Sequence, residues 1–198
     1  MRIPRQHRRR AEPSSPEKLT EQPGNDHDRL LAAEGTPKGD KAFGGSGVDS
    51  LYSLQQTSDG GYVLGGNSPA DYWVVKVDAN GSKQWEMNFG GTGDDTLNSL
   101  APPSDGGYIL GGSSYSGAEG NKTGINLGNW DYWVVKLDAN GNKQWETTCG
   151  GTSADLFHSL APTSDGGAIL AGWSNSGADG NKTGGSFGSD DWWIVKLD

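Results

Sequence analysis

The 198 residues suffice for one domain with its own core, and 33 glycines beside a hydrophobic fraction of 32% are typical of an all-β chain rich in tight turns. The net charge of −9 is unevenly spread, since residues 43–198 hold seven lysines, no arginine and eighteen acidic residues. An acidic surface repels phosphate backbones, so we expect no nucleic-acid binding by this part of the chain.

Residues 1–36 are expected to form a disordered, polar segment with a basic start, because residues 1–10 contain five arginines and no acidic residue. Contact of this start with an anionic surface is the alternative. No apolar run reaches the roughly 20 residues that a membrane span requires, so we expect none. No apolar stretch follows the basic start, as it would in a secretory signal.

Residues 37–198 contain three repeats, at about 44–89, 90–149 and 150–198, called repeats 1, 2 and 3 below. The segment Ser-Asp-Gly-Gly begins at positions 58, 104 and 164, and a glycine pair stands at 44–45, 90–91 and 150–151. An Asp-aromatic-Trp segment that ends in Lys begins at 71, 131 and 191. Such periodic self-similarity indicates an architecture of stacked supersecondary units.

Each repeat is predicted to form four antiparallel strands, at about 49–56, 62–66, 72–77 and 83–89 in repeat 1, and no segment has a helical apolar period. Four-stranded sheets that bury both faces stack radially in propellers, so we predict an all-β fold of β-propeller-like blades. Propellers have about four to eight blades, so three repeats predict a partial propeller or a ring that a homo-oligomer completes. Residues 38–43 are a candidate fourth strand for repeat 3.

Five tryptophans recur at two positions of the repeat and are predicted to fill the space between blades: Trp73, Trp133, Trp193, Trp85 and Trp145. Cys149 stands where the other repeats have Phe43 and Phe89, so we expect a small buried apolar residue rather than a reactive thiol. As the only cysteine, it allows neither an intrachain disulfide nor a cysteine-based zinc cluster.

The repeat motif resembles that of bacterial secreted or surface β-propeller-like repeat proteins. The residues that carry the resemblance lie at 59–62 (DGGY), 131–141 (DYWVVKLDANG) and 143–145 (KQW). The resemblance spans residues 43–198 and implies an extracellular or cell-surface scaffold without a common activity. The turn at 138–145 is also distantly similar to the tryptophan-docking hairpins of quinoprotein-type propellers, a similarity of blade packing that implies no quinone binding.

The repetition argues against catalysis, because a catalytic site needs different residue types that converge at one point. Asp59, Asp105 and Asp165 are expected to form turns, while Lys76, Lys136 and Lys196 are expected to pair with nearby acids at an edge. The residues that break the symmetry are His158, Asp155, Trp173 and Asp190, and they make no recognisable triad. We therefore expect a protein that is not an enzyme.

Long connections, at about 113–130 and 173–190, distinguish repeats 2 and 3 from repeat 1, and loops on a rigid array are the usual place for binding. Their aromatic residues Tyr115, Trp130 and Trp173, among Gly, Ser and Asn, are candidate ligand-binding residues for a sugar. The alternative is that these aromatic side chains only anchor glycine-rich loops.

A calcium site is the second candidate, since Asp179, Asn181, Thr183 and Asp190 fall at positions 1, 3, 5 and 12 of a calcium-loop pattern. Asp190 departs from the Glu preferred at position 12, and repeat 2 has Trp130 there. The leading hypothesis is a non-catalytic binding or scaffold module with a glycan or protein ligand. The alternatives are a calcium-stabilised structural repeat, an enzyme with a site in the long loops, and a truncated repeat fragment.

Overall fold

The computed structural model describes residues 39–198, so the predictions for residues 1–36 lie outside the described residues. Residues 41–198 form a compact unit of antiparallel strands, and no helix occurs in residues 39–198. The all-β prediction is confirmed. The strands in chain order are β1 (Ser50–Gln56), β2 (Tyr62–Asn67), β3 (Tyr72–Val77), β4 (Lys83–Phe89), β5 (Asp95–Ala101), β6 (Tyr108–Ser114), β7 (Asp131–Leu137), β8 (Lys143–Cys149), β9 (Asp155–Pro162), β10 (Ala168–Ser174) and β11 (Asp191–Leu197).

The strands form three sheets in which neighbours in the sequence are neighbours in space. Sheet 1 has the order β1-β2-β3-β4, sheet 2 has β5-β6-β7-β8, and sheet 3 has β9-β10-β11. Residues 39–43 lie in no strand, and β11 pairs with β10 alone within the described chain. The hypothesis that residues 38–43 supply a fourth strand to repeat 3 is therefore wrong for residues 39–43.

The pairing register is the same in each sheet: Tyr62 pairs with Val77, Tyr108 with Leu137, and Ala168 with Leu197. Because side chains alternate across a strand, every sheet has two faces, and each face has an equivalent on the other two sheets. We call the face of Tyr72 and Val74 the front face and the face of Trp73 the back face. Their counterparts on the front faces of sheets 2 and 3 are Tyr132, Val134, Trp192 and Ile194, and on the back faces Trp133 and Trp193.

Two apolar cores lie between the sheets. The front face of sheet 1 packs on the back face of sheet 2, and the front face of sheet 2 packs on the back face of sheet 3. The Tyr72 and Trp133 ring centroids lie 4.7 Å apart, and the Tyr72 hydroxyl donates to the Trp133 carbonyl at 2.9 Å. Tyr132 and Trp193 repeat this contact at 4.8 Å, with a hydrogen bond of 3.2 Å. One kind of front-to-back contact therefore joins both pairs of sheets.

Glycine on the front faces permits the close approach of the next sheet. A Cβ atom at Gly65 would lie 2.4 Å from Leu100 Cδ2, and one at Gly111 would lie 2.4 Å from Phe157 Cζ. Both distances are far below van der Waals contact, so these two positions admit no larger residue without movement of the facing sheet.

The packing prediction is confirmed for three of the five tryptophans. Trp133 is fully buried, and Trp193 and Trp85 pack against the two cores. For Trp73, which is half-buried on the outer back face of sheet 1, packing between blades stays a prediction, and the prediction is wrong for Trp145, which is exposed. Trp85 packs on the Tyr108 ring of sheet 2, whereas Ala168 stands at that position of sheet 3 and offers Trp145 no ring. Trp145 is therefore exposed because alanine replaces tyrosine on the facing sheet, and not because the strand register changes.

Cys149 is buried, as expected, and desolvation raises the pKa of its thiol to about 11. A thiol at that pKa is almost wholly protonated near neutral pH and therefore a poor nucleophile. Its place in the second core, beside Tyr132 and Phe157, agrees with a packing role.

The predicted turn and edge residues behave alike in the three repeats. Asp59 accepts a hydrogen bond from the Gly61 amide at 3.0 Å, and the Lys76 ammonium lies 2.9 Å from its carboxylate. A hydrogen bond from the Thr57 hydroxyl, together with the bonds from Lys76 and Gly61, holds the pKa of Asp59 well below its usual range. The prediction of edge ion pairs is confirmed, with counterparts at Lys136–Asp105 and Lys196–Asp165.

Candidate functional site

The long connections β6–β7 and β10–β11 are built around a buried lysine. The Lys122 ammonium donates to the carbonyls of Ser116 and Gly124 at 2.8 and 2.7 Å and lies 5.9 Å from the centroid of the Trp133 ring. Desolvation of the charge lowers the pKa of Lys122. The carbonyl oxygens and the aromatic face compensate part of that cost. Lys182 makes the same contacts in the β10–β11 connection, with Ser176, Gly184 and Trp193.

Two polar side chains tie the β10–β11 connection to the glycine pair that precedes β9. The Asp179 carboxylate accepts bonds from the Thr152 amide and hydroxyl, both at 2.8 Å. The Asn181 side chain accepts from the Gly150 amide at 2.9 Å and donates to the Thr148 carbonyl at 2.7 Å. Glu119 and Asn121 bind Thr92, Gly90 and Asn88 in the same way in repeat 2.

The predicted calcium ligands divide between two places. Asp179 and Asn181 both contact the segment that begins at Gly150, and their oxygens already accept hydrogen bonds from it. Thr183 is exposed, and Asp190 lines a groove on the front face of sheet 3. No group of three or more His, Cys, Asp or Glu side chains in residues 39–198 is placed to hold a metal ion. Calcium binding stays a prediction.

Two of the three predicted aromatic ligand residues come together. The Tyr115 and Trp130 rings lie 5.8 Å apart at 50°, at the two ends of the β6–β7 connection, and about half of the Tyr115 side chain is exposed. Backbone bonds hold both residues: the Tyr115 amide donates to Asp94 at 2.9 Å, and the Trp130 carbonyl accepts from Asp155 at 2.6 Å. The pair is a partly exposed aromatic surface on an anchored backbone, since Trp130 is half-buried.

Asn126 closes the connection beneath this pair. Its side-chain amide donates to the carbonyls of Gly128 and Asn129 at 2.9 and 2.7 Å. The Asp131 carboxylate accepts from the amides of Leu127 and Gly128 at 2.6 and 3.3 Å. These bonds order the segment between the two aromatic residues, so a ligand there would meet a preformed surface.

Trp173 lies elsewhere, on the front face of sheet 3. It lines an open groove of about 570 Å³ together with His158, Asp190, Trp192 and Ile194, and neither Tyr115 nor Trp130 is part of that lining. Three of the predicted symmetry-breaking residues, His158, Trp173 and Asp190, thus share one groove. Whatever binds them meets a mostly aromatic and aliphatic surface.

The prediction that Asp155 breaks the symmetry is wrong. Its carboxylate accepts from the Gly151 amide at 2.8 Å, and Asp49 and Asp95 make the same bond to Gly45 and Gly91. Asp155 is therefore an element of the repeated turn. The common signal in the sequence is an aspartate four residues after the second glycine of each pair.

Asp131 is an ionisable group that sequence reasoning assigned only to the strand motif. Its side chain is fully buried, and one carboxylate oxygen has no partner in the described part of the chain. Burial, with a smaller contribution from Asp155, raises the pKa of Asp131 to about 6, against the opposing effect of the Leu127 and Gly128 amides. The buried carboxylate is therefore a pH-sensitive point directly beneath the β6–β7 connection.

Comparison with known proteins identifies no family: no family model matches the chain, and no curated protein matches it. Among solved structures, the chain is similar to a protein of unknown function from Bacteroides caccae, with 12% identity and a TM-score of 0.40. The match covers 64% of this chain and 39% of the other, so the chain spans about two fifths of that structure's length.

Within residues 39–198, no helix is long and apolar enough to cross a membrane.

Proposed function

We propose that the chain is a non-catalytic binding or scaffold module of a secreted or cell-surface repeat protein, with a glycan or a protein as ligand. The support from the structure is a division of roles. The recurrent polar residues, such as Asp59, Lys76 and Asp155, bind their own backbone or each other. The aromatic residues of the β6–β7 connection have no counterpart in repeat 1, where only four residues separate β2 from β3.

The Tyr115–Trp130 pair is the observation that carries the proposal. Aromatic faces pack on the apolar C–H faces of sugars, and neighbouring amide and hydroxyl groups bind the sugar hydroxyls. A surface ordered before binding loses little conformational entropy on association. The bonds made by Asn126 and Asp131 supply that order here.

A glycan array probed with the labelled protein, followed by calorimetric titration of the best glycan, tests this assignment. Tyr115→Ala and Trp130→Ala are each expected to weaken binding about tenfold, since central aromatic anchors contribute more than about 1.4 kcal/mol. Trp145→Ala is the matched control, because Trp145 is exposed on β8 outside the connection. Binding that Trp145→Ala weakens as much as Trp130→Ala would contradict the site, and no glycan binding at all would contradict a glycan as its ligand.

The finer architecture is part of the same proposal: the sheets are blades of a propeller-like ring. Its support is the repeated register and the two equivalent front-to-back contacts. An extracellular or cell-surface location agrees with the resemblance of the repeat motif. Immunolabelling of intact cells of the source organism, with and without surface proteolysis, tests the location.

Two alternatives make distinct predictions. A calcium-stabilised structural repeat would raise its Tm in millimolar calcium and lose that gain in Asp179→Ala, but not in Glu119→Ala. An enzyme with a site in the long loops would bind its ligand in the groove of His158 and Asp190, and His158→Ala would abolish turnover.

A further inference from the structure

The two outer faces of the three-sheet stack expose apolar residues that are buried elsewhere in the same molecule. On the back face of sheet 1, Leu51 is 59% exposed and Leu54 is 52% exposed. The residues at the same register positions of sheets 2 and 3 are all buried in the cores: Leu97, Leu100, Phe157 and Leu160.

The front face of sheet 3 also exposes apolar residues whose counterparts are buried. Trp192 is 93% exposed and Ile194 is 64% exposed. Their counterparts in sheets 1 and 2 have no exposed surface: Tyr72, Val74, Tyr132 and Val134. Within residues 39–198, sheet 3 thus has an uncovered front face and sheet 1 an uncovered back face.

The interior of the molecule shows which surfaces fit each other. A front face meets a back face in both cores, and the leucine or phenylalanine of β5 or β9 enters the space above a front-face glycine. At that position of sheet 3 stands Ala171, in the open groove between Trp173, Trp192 and Ile194. The groove is where Leu51 and Leu54 of an equivalent back face would enter.

We propose that the front face of sheet 3 binds the back face of sheet 1 of a second copy of this chain, head to tail. Trp192 and Ile194 then meet Trp73, Leu51 and Leu54 of the next copy, as Tyr132 and Val134 meet the back face of sheet 3 within one chain. The second copy is favoured as the occupant because this sequence carries both halves of the contact. Exposed apolar patches of this kind commonly mark sites of protein–protein contact.

The contact uses two different surfaces, so it is heterologous: the front face of one copy always meets the back face of the next copy. Successive head-to-tail contacts close into a ring if the rotation between copies permits it, and otherwise continue as an open filament. Ala171 carries a methyl group where sheets 1 and 2 have Gly65 and Gly111, and Trp192 replaces a tyrosine. The two sheets of this intermolecular contact are therefore predicted to lie farther apart at Ala171 than the packed sheets inside the chain.

Light scattering after size exclusion of the full chain, loaded at about 100 µM, tests the proposal with two single-face variants. Ile194→Lys blocks the front face, and Leu54→Lys blocks the back face. The unmodified chain is expected to elute at a multiple of its 20.8 kDa mass, and each variant alone at 20.8 kDa. An equimolar mixture of the two variants is expected to form a 1:1 dimer only, because one intact front face and one intact back face remain.

Ile125→Lys is the matched control, since Ile125 is also exposed but lies in the β6–β7 connection, away from both faces. It is expected to associate like the unmodified chain. Near-UV circular dichroism verifies folding, and Leu51→Lys replaces Leu54→Lys if that variant does not fold.

A monomeric unmodified chain would overturn the proposal and assign the faces to a different partner, such as a further repeat of a longer polypeptide. Association of either single-face variant on its own would also overturn it, since that requires like faces to meet. Glycan binding at Tyr115 and Trp130 is measured separately, so failure of one proposal leaves the other standing.

Discussion

Glu146 on β8 joins the long connection of repeat 2 to its sheet, and its replacement by glutamine should reveal how much that junction stabilises the fold. One carboxylate oxygen accepts from the Thr123 hydroxyl at 2.7 Å, the Gly124 amide at 2.8 Å and the Thr123 amide. The other lies 2.8 Å from the Lys143 ammonium. The side chain is only 6% exposed, so solvent screens these contacts weakly.

The expected magnitude follows from the pKa of Glu146. Burial acts to raise it, but the bonds from Lys143, Thr123 and Gly124 lower it to about 2, from an ordinary value of 4.5. A depressed carboxylate pKa contributes stability that is fully present above about pH 4.5 and disappears as the pH falls through about 2. The shift corresponds to about 3 kcal/mol, so Glu146→Gln should lower the free energy of unfolding at pH 7 by about 2–3 kcal/mol.

Urea unfolding of both proteins at pH 7, 5, 4 and 3, followed by tryptophan fluorescence, measures this difference. It should be constant down to pH 5 and roughly half as large at pH 3. Glu86→Gln is the matched control, because Glu86 faces Lys83 at 2.6 Å but its side chain is 40% exposed, and its loss should cost less than about 1 kcal/mol. Equal effects of the two substitutions, or a Glu146 effect that does not change with pH, would refute the reasoning.

Three further predictions concern the buried groups. Asp131→Asn should raise the free energy of unfolding at pH 7.5 by about 2 kcal/mol and leave it unchanged near pH 4, because the pKa of Asp131 is raised to about 6 and its ionisation between those pH values costs stability. Thermal melts measure this difference, and a lower Tm of the variant at both pH values would contradict it. Gly111→Ala should destabilise by about 1–3 kcal/mol in urea through the contact with Phe157, whereas Gly117→Ala, with no atom within 4 Å of its added Cβ, should change stability by less than about 0.5 kcal/mol; equal effects would argue against close packing of sheets 2 and 3. Cys149 should react with a disulfide reagent at pH 8 at least about a hundredfold more slowly in the folded chain than in urea, and comparable rates would show that the second core opens readily.

Much of the strand arrangement was accessible from the sequence because the signals are local. The Asp-Gly-Gly turns carry a glycine with positive φ, at Gly60, Gly106 and Gly166, and fix where one strand ends and the next begins. The alternating pattern of β3 and β7 then determines which residues share a face. The edge pairs of lysine with aspartate follow from the same repetition.

The candidate site was less accessible, since it depends on contacts between distant residues. Tyr115 and Trp130 are fifteen positions apart, and only the folded connection shows that their rings meet while Trp173 lies in a separate groove. Glu86 and Glu146 stand in the same motif of successive repeats, yet the former is exposed and the latter buried, because only repeat 2 brings a Thr123 hydroxyl to it. Position in the motif therefore does not determine the surroundings of a side chain.

The order of strands within each sheet bears on how the chain folds as it is synthesised. Each strand pairs with the strand that precedes it, so a sheet can complete its hydrogen bonds as soon as its own residues have left the ribosome. Its front face, however, finds a cover only about 50 residues later, when the next sheet emerges. The nascent chain therefore carries one uncovered apolar front face at every stage, and the position of that front face moves toward the C-terminus as synthesis proceeds.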